Sequence, residues 1–203
     1  MPQNAIPVIL TIHAFALISP GPDFAVVTRL AIVSGRKTGL WCAAGVAAAI
    51  GVYVLLCALG MSLVVSALPG LSKALSVVGA LYLAWLGMQC LRSEGKLPDT
   101  RTGSQGGKAF VTGFLTNLLN PKAMLYFSSI LSQILSPKLG ATDIALICGL
   151  LLGESLLWFG LVACLFSAPA VLEYLRTRLV WLERSIGVAL LILAAKVATL
   201  ASR

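Results

Sequence analysis

The feature that most constrains this chain is a long stretch without any formal charge. No Asp, Glu, Lys or Arg occurs between Lys37 and Lys73. Over all 203 residues, 59% are hydrophobic and only 11% are charged, whereas soluble domains carry about 25% charged residues. A compact body of this size cannot hide so much apolar surface from its solvent, so that solvent must largely be lipid.

Hydrophobic length predicts about six transmembrane helices. A hydrocarbon core of about 30 Å needs roughly 20 helical residues, and backbone polar groups in lipid must be satisfied within each segment. The stretches that are long enough are about 5–33, 39–65, 71–91, 109–135, 143–168 and 181–201. The sequence lacks strand-like alternation. The predicted fold class is therefore an all-α membrane protein, with one transmembrane domain over residues 1–203.

A polar linker at about 92–108 divides the spans into three and three. Because three is odd, a related second half must be inverted in the membrane. The first spans of the two halves are each interrupted by proline, at Pro22 and Pro121. Paired Gly/Pro-interrupted segments in two halves indicate a transporter's binding site. We therefore predict two inverted three-helix repeats, about 5–91 and 109–201, although proline kinks are common and a coincidental match stays open.

Small residues recur at four-residue intervals in the second and fifth spans. They are Ala43, Ala47 and Gly51 in the second span and Gly149 and Gly153 in the fifth. Such positions let helices pack closely in lipid. They could serve packing inside the chain or the interface of a homodimer.

Basic residues are distributed unevenly between the predicted loops. The odd-numbered connections hold nine Lys and Arg residues, whereas the opposite side holds Lys73, Lys138 and Arg203. Cytoplasmic loops carry the excess of positive charge, which predicts that both termini are periplasmic. The net charge of +8 thus needs no nucleic-acid partner, and no basic run is interleaved with aromatic residues as single-strand binding requires.

Two oppositely charged residues lie beside the two predicted breaks. Asp23 follows Pro22 and Lys122 follows Pro121. An ionisable residue at membrane depth is costly, so each one needs a reason. The two could form a structural ion pair that fastens the halves. Together with the broken backbone they could instead bind a zwitterion, the carboxylate receiving an ammonium and the cation a carboxylate.

Five further residues are candidates for substrate contact or proton coupling. Asn117 and Asn120, three residues apart on one helix face, could add neutral hydrogen bonds. Glu154 lies in an apolar segment that favours a neutral carboxyl, which suits reversible proton binding, but it could also make a structural hydrogen bond. Trp158, one turn later, could line the same pocket or act in packing or anchoring. His13 could relay a proton or simply donate to a neighbouring helix.

Four segments together resemble the RhtB group of the LysE translocator superfamily, and most of all its threonine and homoserine efflux members. They are 19–24, 79–87, 113–123 with Tyr126 and Phe127 following, and 154–159. The resemblance covers almost the whole chain. It implies a bacterial inner-membrane exporter of amino acids that is driven by the proton gradient. Its substrates would range over threonine and homoserine, with relatives that take branched-chain, cysteine-pathway or basic amino acids.

The resemblance and the residues together define an expected site. The expected substrate-binding residues are Pro20, Gly21, Pro22, Asp23, Asn117, Asn120, Pro121, Lys122 and Trp158. The expected proton-coupling residues are Glu154, Asp23 and His13. The expected partners are an amino acid, protons and membrane lipid, and we expect movement by alternating access.

Other functional classes are disfavoured. No catalytic residue, metal or cofactor is expected, because the five cysteines stand alone in apolar segments and no HExxH motif occurs. Opposite charges at paired breaks favour a gated site over a passive channel. A basic substrate would favour further intramembrane carboxylates, yet only Asp23 and Glu154 are available, which favours a neutral amino acid.

Overall fold

A computed structural model of the chain describes residues 5–18, 21–59, 69–92, 106–127, 140–176 and 179–202. Every regular element in those residues is a helix, which confirms the all-α fold class. The helices are α1 (Ala5–Ile18), α2 (Pro22–Ser34), α3 (Arg36–Ala58), α4 (Pro69–Leu91), α5 (Gly106–Leu118), α6 (Pro121–Tyr126), α7 (Ala141–Phe166), α8 (Pro169–Arg176) and α9 (Leu179–Ser202).

Helices α3 and α7 are each long and apolar enough to cross a membrane. With 23 and 26 residues, they exceed the roughly 20 that a bilayer core needs. Ile6–Ile18 and Pro22–Ser34 would together make a third span, bent by 60° at the intervening break. Length and composition of the described helices thus support two or three spans, and the arrangement of six spans in two repeats stays a prediction.

The first predicted break lies between α1 and α2. Helix α1 ends at Ile18, and α2 begins at Pro22 after the extended N-cap residue Gly21. Proline suits the first helical position because its ring presets φ and its missing N–H would have no intrahelical partner there. Asp23 follows in the first turn, where the helix dipole favours an anion. Pro20 lies outside the residues that the structure describes.

The second predicted break lies between α5 and α6. Helix α5 ends at Leu118, and α6 begins at Pro121. Asn120 caps α6, because its Oδ1 accepts a hydrogen bond of 3.0 Å from the backbone N–H of Lys122. Its own N–H donates to the carbonyl of Asn117 at 3.0 Å, which closes the last turn of α5. Residues 128–135 of the predicted fourth span lie outside the described residues.

Glycines set the closest approaches between helices. A Cβ atom added at Gly45 of α3 would lie 2.0 Å from a carbonyl oxygen of α5, and one at Gly113 of α5 would lie 2.1 Å from a carbonyl oxygen of α3. Gly87 of α4 and Gly187 of α9 face each other in the same way, at 2.9 and 2.8 Å from the opposite carbonyl oxygen. Small residues therefore bring these two helix pairs into backbone contact.

The two predicted small-residue stripes differ in their surroundings. Ala43, Ala47 and Gly51 are buried, and α3 packs against α7 at Gly51, where an added Cβ would lie 3.2 Å from a leucine side chain. Gly149 and Gly153 are exposed, and no described atom lies within 4 Å of a Cβ added at either. The α3 stripe thus packs inside the chain, whereas no described helix packs on the α7 stripe.

Candidate functional site

A small cavity lies between the two helix breaks. Six predicted site residues line it, and they are His13, Gly21, Asp23, Asn117, Asn120 and Lys122. Apolar and aromatic side chains complete the wall. The cavity has a volume of about 40 Å³, which holds a few water molecules. Small-molecule pockets usually measure about 300–1,000 Å³, so the cavity is smaller than a typical ligand site.

Asp23 is the centre of a hydrogen-bond network in the cavity. Its Oδ2 accepts a hydrogen bond from Nδ2 of Asn117 and another from Nδ2 of Asn120, each at 3.0 Å. Its Oδ1 is buried and has no hydrogen-bond partner among the described residues. Because each carboxylate oxygen can accept two hydrogen bonds, Asp23 keeps the capacity to bind a ligand that donates.

The cap of α6 orients Asn120 toward Asp23. The Oδ1 of Asn120 is used by the N–H of Lys122, so the NH₂ group of the same amide must point the other way. Asn117 uses only its NH₂ group, and its Oδ1 is buried without a partner in the part of the chain described. The two asparagines thus donate to Asp23, and Asn117 offers a further acceptor.

Lys122 connects the second break to the first. Its Nζ donates a hydrogen bond of 2.8 Å to the carbonyl oxygen of Ala16. Ala16 belongs to the last turn of α1, where carbonyls lack intrahelical partners and the helix dipole favours a cation. Lys122 and Asp23 also attract each other electrostatically. The two opposite charges therefore lie in one cavity, where Lys122 donates to the Ala16 carbonyl and Asp23 accepts from the two asparagines.

His13 connects α1 to α7. Its Nε2 lies 3.0 Å from Oγ of Ser155, and the Ser155 hydroxyl donates to the carbonyl of Leu151 at 2.7 Å. A hydroxyl has a single proton, so when Ser155 donates to Leu151, the hydrogen shared with His13 is carried by His13 Nε2. The other ring nitrogen, Nδ1, is then an acceptor, and it is buried without a partner among the residues described.

Glu154 and Trp158 lie in a second pocket, between α1 and α7. Its volume is about 220 Å³, and the other described residues that line it are apolar. Glu154 Oε2 and Trp158 Nε1 are buried there and have no hydrogen-bond partner within the described ranges. Consecutive helical residues differ by about 100° in direction, so Ser155 faces His13 while Glu154 faces this pocket. The structure therefore does not bring Trp158 to the cavity of Asp23.

The expected site omitted the aromatic residues around the cavity. Tyr126 and Phe127 line it, and Phe127 stacks on Tyr53 with ring centroids 4.8 Å apart. The Tyr53 hydroxyl donates to the carbonyl of Leu118 at 2.6 Å, next to the second break. A signal for Tyr126 was present in the sequence, because it follows Lys122 by four residues and so shares its helix face.

The fold and this cavity define a helical membrane protein whose polar site lies inside the bundle, at two interrupted helices. The sequence matches the LysE type translocator family over residues 14–201. The chain belongs to this family, and it is therefore a transporter rather than an enzyme.

Several relatives carry names that specify an amino acid. The chain is 35% identical to the Threonine efflux protein of Salmonella typhi over 182 residues, which are 87% of this chain and 88% of the relative. It is 33% identical to the Threonine efflux protein of Escherichia coli (strain K12), with the same coverage. It is 29% identical to the Leucine efflux protein of Klebsiella pneumoniae, over 93% of this chain and 92% of the relative. No solved structure matches the chain.

Proposed function

We propose that this chain exports a small neutral amino acid of the threonine or homoserine type across the bacterial inner membrane. The observation that carries the proposal is the cavity at the two breaks. It combines acceptors on Asp23 and Asn117, which have no partner among the described residues, with the ammonium group of Lys122. A zwitterion needs acceptors at one end and a cation at the other.

The two ends of an amino acid match this cavity separately. An ammonium group has three N–H donors and no acceptor, and Asp23 Oδ1 and Asn117 Oδ1 are both acceptors to which no described residue donates. The substrate carboxylate would bind Lys122, which would exchange the Ala16 carbonyl for a charged partner. In this mechanism Asp23 and Lys122 bind substrate and attract each other when the site is empty.

The placement of Glu154 supports a neutral substrate. A basic amino acid would need a second carboxylate for its side chain, and Glu154 lines the other pocket. The names of the threonine efflux relatives support a hydroxylated substrate. The leucine efflux relative makes a branched-chain amino acid the second candidate.

Alternating access requires the small cavity to widen toward each side in turn. We propose that two inverted three-helix repeats, about 5–91 and 109–201, move against each other around the breaks. The reciprocal contact between Gly87 of α4 and Gly187 of α9 supports this, because an inverted two-fold axis would place the third and sixth spans together. Helix α3 packs on α7, and these are the second and fifth predicted spans, which such an axis would also place together.

Export would be driven by the proton gradient. His13 Nδ1 is a buried acceptor on a residue that lines the cavity, and it lies on the same ring that binds Ser155. Glu154 is the neighbour of Ser155 in the sequence and lies on the side of α7 that faces the second pocket. We assign proton coupling to Glu154, His13 and Asp23, and substrate binding to Asp23, Asn117, Asn120 and Lys122.

The membrane setting is part of the proposal. Large apolar side chains cover the outside of the described helices, among them Phe15, Leu157 and Leu161. Such a surface suits contact with lipid acyl chains. The distribution of Lys and Arg between the loops supports periplasmic termini. The exposed glycines of α7 would be available to a homodimer, which stays a prediction.

Transport by vesicles loaded with labelled amino acids tests this function. Purified protein in proteoliposomes is expected to export threonine or homoserine faster with a proton gradient than without one, and lysine little. Asp23→Ala and Lys122→Ala are expected to abolish export. Asp143→Ala and Lys108→Ala remove like charges outside the cavity and serve as matched controls.

Each outcome of this test has one meaning. A native protein that moves no amino acid contradicts the function. Normal export by both Asp23→Ala and Lys122→Ala contradicts the site and leaves the function standing. Retained insertion of the inactive variants, seen as native-like elution in detergent, separates loss of binding from loss of folding.

A further inference from the structure

We propose that Tyr126 and His13 form a subsite that recognises a hydroxyl group on the side chain of the substrate. The inference rests on the proposed function, because an amino acid must enter the cavity for the subsite to act. It assigns a specificity-determining role to Tyr126, which the expected substrate-binding set did not contain.

The two residues are adjacent and buried in the cavity wall. Their ring centroids lie 5.5 Å apart, and only 2% of His13 and 9% of Tyr126 is exposed. Both residues line the cavity. His13 Nδ1 and the Tyr126 hydroxyl are buried without a hydrogen-bond partner in the described part of the chain. Buried polar atoms in native structures nearly always have partners, so these two atoms on neighbouring rings have the capacity to bind a polar group in the cavity.

The unsatisfied atoms have complementary hydrogen-bonding roles. In neutral His13 with the shared hydrogen on Nε2, Nδ1 is an acceptor. The phenol of Tyr126 can donate. A hydroxyl group is the small ligand that donates one hydrogen bond and accepts another at the same atom. A methyl group in the same position would leave both protein atoms unsatisfied, which penalises an aliphatic substrate.

This subsite is distinct from the groups that bind the two charged ends of the substrate. Asp23 and Asn117 supply the acceptors for the ammonium, and Lys122 supplies the cation for the carboxylate. Tyr126 follows Lys122 by one turn of α6, a rise of about 5.4–6 Å. Both residues line the cavity, so an amino acid whose carboxylate binds Lys122 lies beside Tyr126, and all three parts of the substrate have a place.

Stacked rings hold Tyr126 in position. Its ring lies edge-on to Phe127 at 4.9 Å, and Phe127 stacks on Tyr53 at 4.8 Å with an interplanar angle of 4°. Tyr53 is in turn anchored by its hydrogen bond to Leu118. A group that is held rigidly discriminates better than a mobile one, because it cannot move away to find another partner.

Threonine and valine provide the test, because they have nearly the same shape and differ by hydroxyl against methyl. Unlabelled threonine and unlabelled valine are each tested as competitors of labelled threonine, and counterflow is measured in proteoliposomes that contain the full chain. The native protein is expected to prefer threonine by about tenfold or more, the effect of leaving one or two buried polar groups unpaired. Tyr126→Phe removes only the hydroxyl, and its preference is expected to fall to about threefold or less.

Tyr53→Phe is the matched control, because it also removes a phenol hydroxyl from the same aromatic cluster. Tyr53 does not line the cavity, and its hydroxyl is bound to Leu118. Its variant is expected to keep the native ratio of threonine to valine, whatever its rate of transport.

Three results would overturn the subsite. They are equal competition by threonine and valine in the native protein, a native ratio in Tyr126→Phe, and an equal loss of preference in Tyr53→Phe. The first uses unmodified protein and so does not depend on the folding of any variant. None of them contradicts amino-acid export itself, which fails only if no amino acid is moved at all.

Discussion

Asn120→Asp changes the chemistry of the site with almost no change of shape. The introduced carboxyl still offers an acceptor to the N–H of Lys122, so the cap of α6 is kept. It replaces the NH₂ group that donates to Asp23, however, with a second acceptor. Two carboxylate oxygens would then face each other across the 3.0 Å that now separates donor from acceptor.

The size of the effect follows from that distance. Two unit charges 3.0 Å apart repel each other by about 5 kcal/mol at an effective dielectric constant of about 20. The retained cap contributes only about 0.5–2 kcal/mol, so it cannot offset the repulsion. The two carboxyls can share the space once a single proton lies between them, since a protonated carboxyl donates where the amide did.

We therefore expect Asn120→Asp to lose transport at neutral pH and to recover it as the pH falls. Counterflow of labelled threonine, with the same pH on both sides of the vesicle membrane, measures this without a gradient. Asn120→Ala, which lacks both the cap and the donor, is expected to transport poorly at every pH. Native transport by Asn120→Asp at neutral pH would refute the reasoning, as would an equal acid recovery in Asn120→Ala.

Two further predictions concern packing and coupling. Gly113→Ala places a methyl group 2.1 Å from a carbonyl oxygen of α3 and is expected to cost about 1–3 kcal/mol of stability. Gly153→Ala meets no described atom within 4 Å and is expected to be neutral or stabilising by about 0.5–1 kcal/mol. Equal unfolding temperatures of the two variants in detergent would contradict the packing. Glu154→Gln is expected to keep counterflow but to lose stimulation by a proton gradient, and undiminished stimulation would remove Glu154 from the coupling path.

Local chemistry made the helix breaks predictable from the sequence. Pro22 and Pro121 each begin a helix, as their fixed φ and missing N–H require. The meeting of Asp23 with Asn117 and Asn120 was predictable only through the repeat, because 94 and 97 residues separate the partners. Two matching breaks in two halves placed these side chains at one depth, and the structure brings them into hydrogen-bonding distance.

Other features of the site depend on helix rotation, which the sequence does not specify. Glu154 and Trp158 share a pocket as one helical turn predicts, but the rotation of α7 directs that pocket away from Asp23. Ser155 faces inward instead and lies within hydrogen-bonding distance of His13. The two residues are 142 positions apart in the sequence, and no motif predicts their contact.

The sequence also does not show which backbone groups a side chain will bind. Lys122 binds the carbonyl of Ala16, a group that every residue possesses, so the side chain at position 16 gives no sign of it. The residue four positions later is Pro20, which has no N–H to donate to that carbonyl in a helix, so the carbonyl is available to Lys122. The role of Tyr126 could have been suspected from its spacing to Lys122, but its unsatisfied hydroxyl appears only in the packed structure.

The most direct test of the proposed site is an experimental structure of the protein with threonine bound. We expect the ammonium group within hydrogen-bonding distance of Asp23 Oδ1, the carboxylate at Lys122, and the side-chain hydroxyl between His13 and Tyr126. The volume of the cavity is expected to be larger than the present value of about 40 Å³. Threonine bound in the pocket of Trp158, or in the cavity with its ammonium group away from Asp23, would contradict the site on which the transport mechanism depends.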